Sequence, residues 1–452
     1  MLREQRYMKT ADYLIFELKQ SADEGKDVSG YKEEVERIIA LDRQNPEREL
    51  LACKLFKEII NIPAKVDYPY VEPSDLEGIR AQRSEGYRKK ELTLSRDEIY
   101  NKVYGAWLGR CVGCLLGQPI EGWMRDRIYG LLKDTDNYPI NRYLSSEIPE
   151  EIIKKYDIQP NGSKFHDGIV KHWINNTKNM PEDDDTNYTV IGLKILERYG
   201  ENFTPDDVAE TWLMNLPVLH LATAERVAYR NFVACIFPPE SAITDNIFRE
   251  WIGAQIRADF FGYINMANPE RAAEMAWRDA SISHIKNGIY GEMFVAAMLA
   301  HAAISDDIEE IIKIGLSEIP KNCRLEKAIK EVVEWYESGV TWQQAIDKIH
   351  VIYDETNKYD WCHTISNAMI VCIGLLYGGH DFEKTVAIAV MGALDTDCNG
   401  ATVGSIVGMI LGAKALPEKW IDPLNDKIKS GVDGFGLVNI SELAKRTAVF
   451  IK

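Results

Sequence analysis

Two short acidic stretches hold the residue types from which chemistry could be built. Glu182-Asp183-Asp184-Asp185-Thr186 sets four carboxylates in a row, and Asp395-Thr396-Asp397 adds two more far downstream. Carboxylates this close repel one another, and burying one is costly unless it is paired, hydrogen-bonded or bound to a cation. Taken singly, each stretch reads as a solvated turn that caps a helix, since carboxylates are favoured at helix N-termini. Taken together, they read as two halves of an oxygen-rich site for a hard divalent cation such as Mg²⁺. A helix start is irregular enough to aim three successive aspartates at one point, and the Asp395-x-Asp397 spacing puts both carboxylates on one side of an extended segment.

The elements that must position these acids are legible around them. The apolar pattern Tyr188–Leu196 predicts a helix immediately after the first stretch. Ser95-Arg96-Asp97-Glu98 has capping-box form and opens a helix through Leu116. Inside that helix Gly105, Gly109, Gly113 and Gly117 recur every fourth residue, and Gly400, Gly404, Gly408 and Gly412 repeat the spacing after the second acidic stretch. Glycine in a helix costs about 1 kcal/mol relative to alanine, and close backbone approach to a neighbouring helix is the natural compensation. The expectation is that both glycine-striped helices are central and touch each other.

The 452-residue chain has 46% apolar and 27% charged residues, which is ordinary globular composition. Its net charge of −17 excludes a basic nucleic-acid-binding face. The charged start Met1–Arg6 lacks the apolar core of a signal peptide. The uncharged runs 365–379 and 398–413 are shorter than the roughly 20 residues of a membrane span. A cytoplasmic location follows as the expectation. The eight cysteines are scattered, some inside apolar runs, as reduced core thiols are. Cys111-Val112-Gly113-Cys114 has no second pair to make a zinc site and no preceding strand to make a redox motif.

Residues 1–62 read as amphipathic helices, 63–92 as a proline-punctuated linker and 122–180 as a long irregular insertion. His166 and Asp167 in that insertion could reach a site, with a surface histidine the first reading. Beyond it helices are expected at 208–216, 271–280, 290–303, 306–315, 324–337, 342–355, 361–377, 382–392 and 399–415, with no hairpin signature. The fold class is therefore all-α: a compact multi-helix domain over 96–452 with an N-terminal helical extension and linker over 1–95. Helix capping or core hydrogen bonding is the first reading of His363 and Asn367, and core burial that of Trp107, Trp123, Trp173 and Trp361. Glu225, Arg226 and Arg230 read as a polar helix face, with Arg230 salt-bridged or solvated.

Gly105-Ala106-Trp107-Leu108-Gly109-Arg110-Cys111-Val112-Gly113-Cys114-Leu115-Leu116-Gly117-Gln118-Pro119-Ile120-Glu121, then Asp184-Asp185-Thr186, Ser283-His284, and Gly392-Ala393-Leu394-Asp395-Thr396-Asp397 occur in the order seen in one family. Over roughly 98–420 the chain resembles the ADP-ribosylglycohydrolases, including the dinitrogenase-reductase-activating glycohydrolases. The resemblance implies an all-helical fold with two metal ions, usually Mg²⁺ and sometimes Mn²⁺. A metal-bound water would cleave a glycosidic bond at the anomeric carbon of ribose. It further implies metal ligation by Asp183, Asp184, Asp185, Asp395, Asp397 and Cys398, with Asp397 bridging. Glu121, Asp184 and Asp397 would be catalytic, and Ser283 and His284 would line the substrate cleft. The substrate would be a small riboside or an ADP-ribosylated protein, with no nucleic-acid or membrane partner.

Three positions depart from that family's usual residues: aspartate replaces threonine at 183, and cysteine replaces aspartate at 114 and threonine at 398. A thiol is a poor Mg²⁺ ligand, so the second ion is expected to bind weakly or through Asn399 or water. Two other readings compete. One is a catalytically silent member that binds an ADP-ribose-like ligand or a protein. The other is a metal-dependent phosphohydrolase, against which stands the lack of histidines in the acidic motifs.

Overall fold

The computed structural model describes residues 5–164 and 170–452. Among them 22 α-helices carry the fold. No helix among the described residues is long and apolar enough to cross a membrane. The all-α class holds. Two small antiparallel pairs accompany the helices, Ser163–Lys164 with Val170–Lys171 and Lys427–Ser430 with Gly436–Asn439. The second pair corrects the expectation of no hairpin. Lys427–Ser430 alternates exposed and buried residues over only four positions, too few for the pattern to register in sequence.

Local signals fix the helix starts. Ser95 and Glu98 form the expected capping box on the Arg96–Gly117 helix. Thr204 and Asp207 do the same for Pro205–Asn215, and Asn268 caps Pro269–Ala280. The predicted 361–377 helix is two, Lys358–Cys362 and Thr364–Gly378. The break lies at His363, whose ring nitrogen accepts from the Ile365 amide at 3.1 Å.

The two glycine-striped helices, Arg96–Gly117 and Thr396–Leu411, run antiparallel in backbone contact at the centre of the molecule. A methyl group built on Gly105, Gly109 or Gly113 would overlap the carbonyl oxygen of Gly408, Gly404 or Gly400, and one built on any of those three would overlap the facing carbonyl in turn. Gly412 leaves the stripe: at φ +75° it ends its helix, the usual place for a glycine in that region. Antiparallel pairing sets Gly117 against Thr396, and the Thr396 hydroxyl donates to the Gly117 carbonyl at 2.9 Å. The end of one helix thus meets the start of the other.

Two sequence-stretch assignments need correcting. The insertion at 122–180 is not wholly irregular, since it contains the helices Arg125–Asp134 and Glu150–Lys155. The 63–92 linker contains the helix Leu76–Gln82 and lies along the domain as a strap. Its Glu72 pairs with Arg324 at 2.8 Å, and Arg83 and Arg88 pair with the fully buried Glu318. Helices Leu14–Asp23, Lys32–Ile39 and Pro46–Ile60 share a small apolar cluster of their own. They also dock by charge: Glu17 and Glu24 each reach the buried Arg249 at 2.7 Å.

Candidate metal centre and cleft

Both acidic stretches sit at helix N-termini, where unpaired amides and the helix dipole favour negative charge. Asp183 is the N-cap of the helix Asp184–Tyr199, and its Oδ1 accepts from the Asp185 amide at 3.0 Å. Its Oδ2 accepts from Gln118 Nε2 at 2.8 Å. Asp395 is the N-cap of Thr396–Leu411 and Asp397 lies in that helix's first turn. The pair therefore stands on a helix start and not on an extended segment, as its spacing had suggested. Asn367 Oδ1 holds this corner, accepting from the Asp395 amide at 3.2 Å and from Asn399 Nδ2 at 2.8 Å. Just before it, Ala393 and Leu394 both have left-handed φ, +59° and +55°, a conformation costing non-glycine residues about 1–3 kcal/mol each.

The juxtaposed helix ends bring the two stretches together. Ligand atoms of Cys114, Asp183, Asp185 and Asp397 lie within 4.8 Å of one another, as do those of Asp395, Asp397 and Cys398. Asp397 belongs to both groups. Asp185 Oδ2, Asp395 Oδ1 and Asp397 Oδ1 are shut from solvent and have no hydrogen-bond partner. Buried polar atoms are nearly always satisfied, and orphaned carboxylate oxygens within two ligand groups that share Asp397 suit a divalent cation with oxygen ligands. The residues present fit such an ion.

Protein cations near this centre are few. Arg110, fully buried, reaches Asp185 Oδ1 at 3.2 Å and Asp259 at 2.8 Å. Lys171 reaches Glu121 at 2.8 Å. Burial, followed by the Asp397 charge, pushes the Asp183 carboxyl up to about 6. Asp184, Asp185 and Asp395 are raised well above the usual carboxylate range by burial first and neighbouring aspartates after it. Glu121 is raised by burial and by Asp397, with Lys171 opposing. Burial also raises the Cys398 thiol.

A small inner cavity of about 60 Å³ lies over the acids, bordered by Asp184, Glu225, Asp395, Asp397 and Cys398 among others. It adjoins an outer cavity of about 1440 Å³. Glu121, Tyr7, Thr223, Trp361 and Cys362 border both.

Among the residues singled out in sequence, Glu121, Asp183, Asp184, Asp185, Asp395, Asp397 and Cys398 gather at this centre, and Cys114 joins them. Ser283 and His284 do not line either cavity. They are fully buried and bonded to each other at 2.8 Å, and burial holds the imidazole well below its usual range. His166 and Asp167 lie outside the described residues. Arg230 donates to the carbonyls of Met8, Thr244 and Asp245. Glu225, read in sequence as part of a polar helix face, is instead buried against Arg257 at 2.8 Å and borders the inner cavity, because nothing local distinguishes it from a surface glutamate. Sequence reasoning missed Lys171, Gln118 and Tyr7. Gln118 alone carried a signal, standing between Gly117 and Glu121 in the first motif.

The ADP-ribosylglycohydrolase family model matches residues 95–448. Comparison with curated proteins gives no match. Among solved structures, a chain described as an ADP-ribosylglycohydrolase-related protein complex aligns at 18% identity and a TM-score of 0.47. The alignment covers 78% of this chain and 98% of that one. With the family model spanning the acidic centre and both glycine-striped helices, the chain belongs to the ADP-ribosylglycohydrolase family.

Proposed function

We propose that the protein is a metal-dependent hydrolase that cleaves an N- or O-glycosidic bond of an ADP-ribosyl or related riboside. The observation that carries this reading is that Asp185 and Asp395 each have a ligand atom within 4.8 Å of one on Asp397, and all three carboxylates keep a buried oxygen without a hydrogen-bond partner. Asp183, Asp184, Asp185, Asp395, Asp397 and Cys398 would hold Mg²⁺ or Mn²⁺, with Asp397 common to both ligand groups. Bound there, the cations would attract the vicinal hydroxyls of ribose and lower the pKa of water. Glu121, anchored by Lys171 at the floor of the cleft, orients the attacking water and takes its proton. The carboxylates of Asp184 and Asp397 support positive charge developing on the sugar in an oxocarbenium-like transition state. Gln118 and Arg110 fix Asp183 and Asp185 in place. The hydrolase unit is residues 96–452, and residues 1–95 are an addition to it.

The test is release of ribose or ADP-ribose from a panel of ribosides and ADP-ribosylated peptides. Turnover is expected with Mg²⁺ or Mn²⁺ and is abolished by chelation and by Asp397→Ala. Turnover that survives both would overturn the reading. A second reading, a silent member that binds an ADP-ribose-like ligand or a protein, draws on the thiols of Cys114 and Cys398, which put sulfur in both ligand groups. Calorimetric binding of ADP-ribose without turnover across the panel would favour it.

A further inference from the structure

The family match begins at residue 95, yet the outer cavity is walled on one side by residues that precede it. Arg6, Tyr7, Met8, Tyr13 and Phe16 face it, together with Arg43. Glu121, Trp251, Trp361 and Cys362 from the matched region also line it. Tyr7 goes deepest, bordering the inner cavity as well.

The segment is built to hold that position. Tyr7 has φ +65°, a left-handed conformation rare for a tyrosine and retained only where its surroundings over-determine it. Its amide donates to the Tyr13 hydroxyl at 3.1 Å, and its ring stacks on Tyr13 with centroids 5.6 Å apart. Both rings meet Phe248 edge-on, and Phe248 in turn packs against Trp251. The helix Thr223–Val233 grips the backbone from the other side. Arg226 donates to the Arg6 carbonyl at 3.4 Å and Arg230 to the Met8 carbonyl at 3.1 Å.

The two cavities differ in charge. The inner one is bordered by Glu121, Asp184, Glu225, Asp395 and Asp397 and, among the described residues, by no lysine or arginine. The outer one carries four exposed cations, Arg6, Lys9, Arg43 and Lys358, against three acids, Asp12, Glu121 and Glu355, with Arg43 lying 3.7 Å from Asp12. A ligand matching both ends has a hydroxyl-rich sugar at the acids and an anionic group farther out, joined past aromatic rings. Ligand pockets are commonly about 300–1,000 Å³, so about 1440 Å³ holds a molecule of nucleotide size.

The geometry points to the N-terminal segment as a wall of the substrate site, with Tyr7 a specificity-determining residue for a free, anionic, nucleotide-sized riboside. A walled cleft of this kind admits a small molecule more readily than a side chain on a folded protein. The inference rests on the proposed function, and its test separates the two. Binding of Mn²⁺ and of ADP-ribose to the full chain is measured by calorimetry for wild type, Tyr7→Ala and Tyr7→Phe. The wild type binds both; Tyr7→Ala keeps its Mn²⁺ affinity but loses about tenfold or more for ADP-ribose, and Tyr7→Phe stays within about twofold. Hydrogen exchange over residues 5–16 of the wild type, which needs no variant, slows when ADP-ribose is added. Unchanged affinity in Tyr7→Ala, or no protection of the wild type, overturns the inference and leaves the metal reading intact. Wild type that binds Mn²⁺ but not ADP-ribose overturns this inference alone, and binding of neither overturns both.

Discussion

Six carboxylates, Glu121, Asp183, Asp184, Asp185, Asp395 and Asp397, share one region, and burial with mutual repulsion raises five of them. Asp183 is held near 6, and Asp184, Asp185, Asp395 and Glu121 stand higher than usual. Each raised carboxyl keeps a proton in the folded state that the unfolded chain gives up at lower pH. Its contribution to stability is present below the ordinary carboxylate range and is lost as pH rises through the raised value. A divalent ion must displace the same protons, so metal affinity moves in the opposite sense and increases with pH. The increase in melting temperature produced by Mg²⁺ is therefore expected to be small at pH 5 and clearly larger at pH 7.5. Thermal scans at the two values, with and without chelator, check it. A shift independent of pH would place the ion elsewhere.

At the scale of elements, the acids owe their meeting to two glycine-striped helices. This much was legible: a stripe at every fourth residue in each of two segments has few physical explanations other than a close helix pair. The register was not legible. The backbone contacts of Gly105 with Gly408, Gly109 with Gly404, Gly113 with Gly400 and Gly117 with Thr396 set one helix's end on the other's start. Gly113→Ala would drive a methyl into the Gly400 carbonyl, which no side-chain rotation relieves. The expected loss is about 3 kcal/mol, at the upper end for overpacking, and metal binding should weaken with it. Gly30, with open space around it, is the control: Gly30→Ala should stay within about 0.5 kcal/mol of wild type. Chemical denaturation of the pair measures both. Equal midpoints would show that the stripe is not what holds the helices together.

For the whole molecule, sequence gave the all-helical class and the helices of residues 1–62, but not what those helices do. Nothing in the run around Glu17 and Glu24 marks them as partners of Arg249, more than two hundred residues away. Such pairs depend on tertiary packing, which local pattern does not encode. The same holds for Tyr7 at the cleft and for Glu225 beneath it. Glu17 and Arg249 are both fully buried. Removing one member of a buried pair leaves the other uncompensated, at about 3–5 kcal/mol. Glu17→Ala should fall near the lower figure, because Glu24 remains beside Arg249 at 2.7 Å. Urea unfolding would report it, and a change below about 0.5 kcal/mol would show that the extension docks without this contact.

The central claim is that Asp397, common to both ligand groups, organises a divalent metal site. It is tested most directly by calorimetric titration of Mn²⁺ into the chelator-treated wild type and into Asp397→Asn, a change that keeps side-chain volume and removes charge. The account predicts binding to the wild type and its loss in a variant whose circular dichroism is unchanged. Equal binding by both proteins, or none by the wild type, would contradict it.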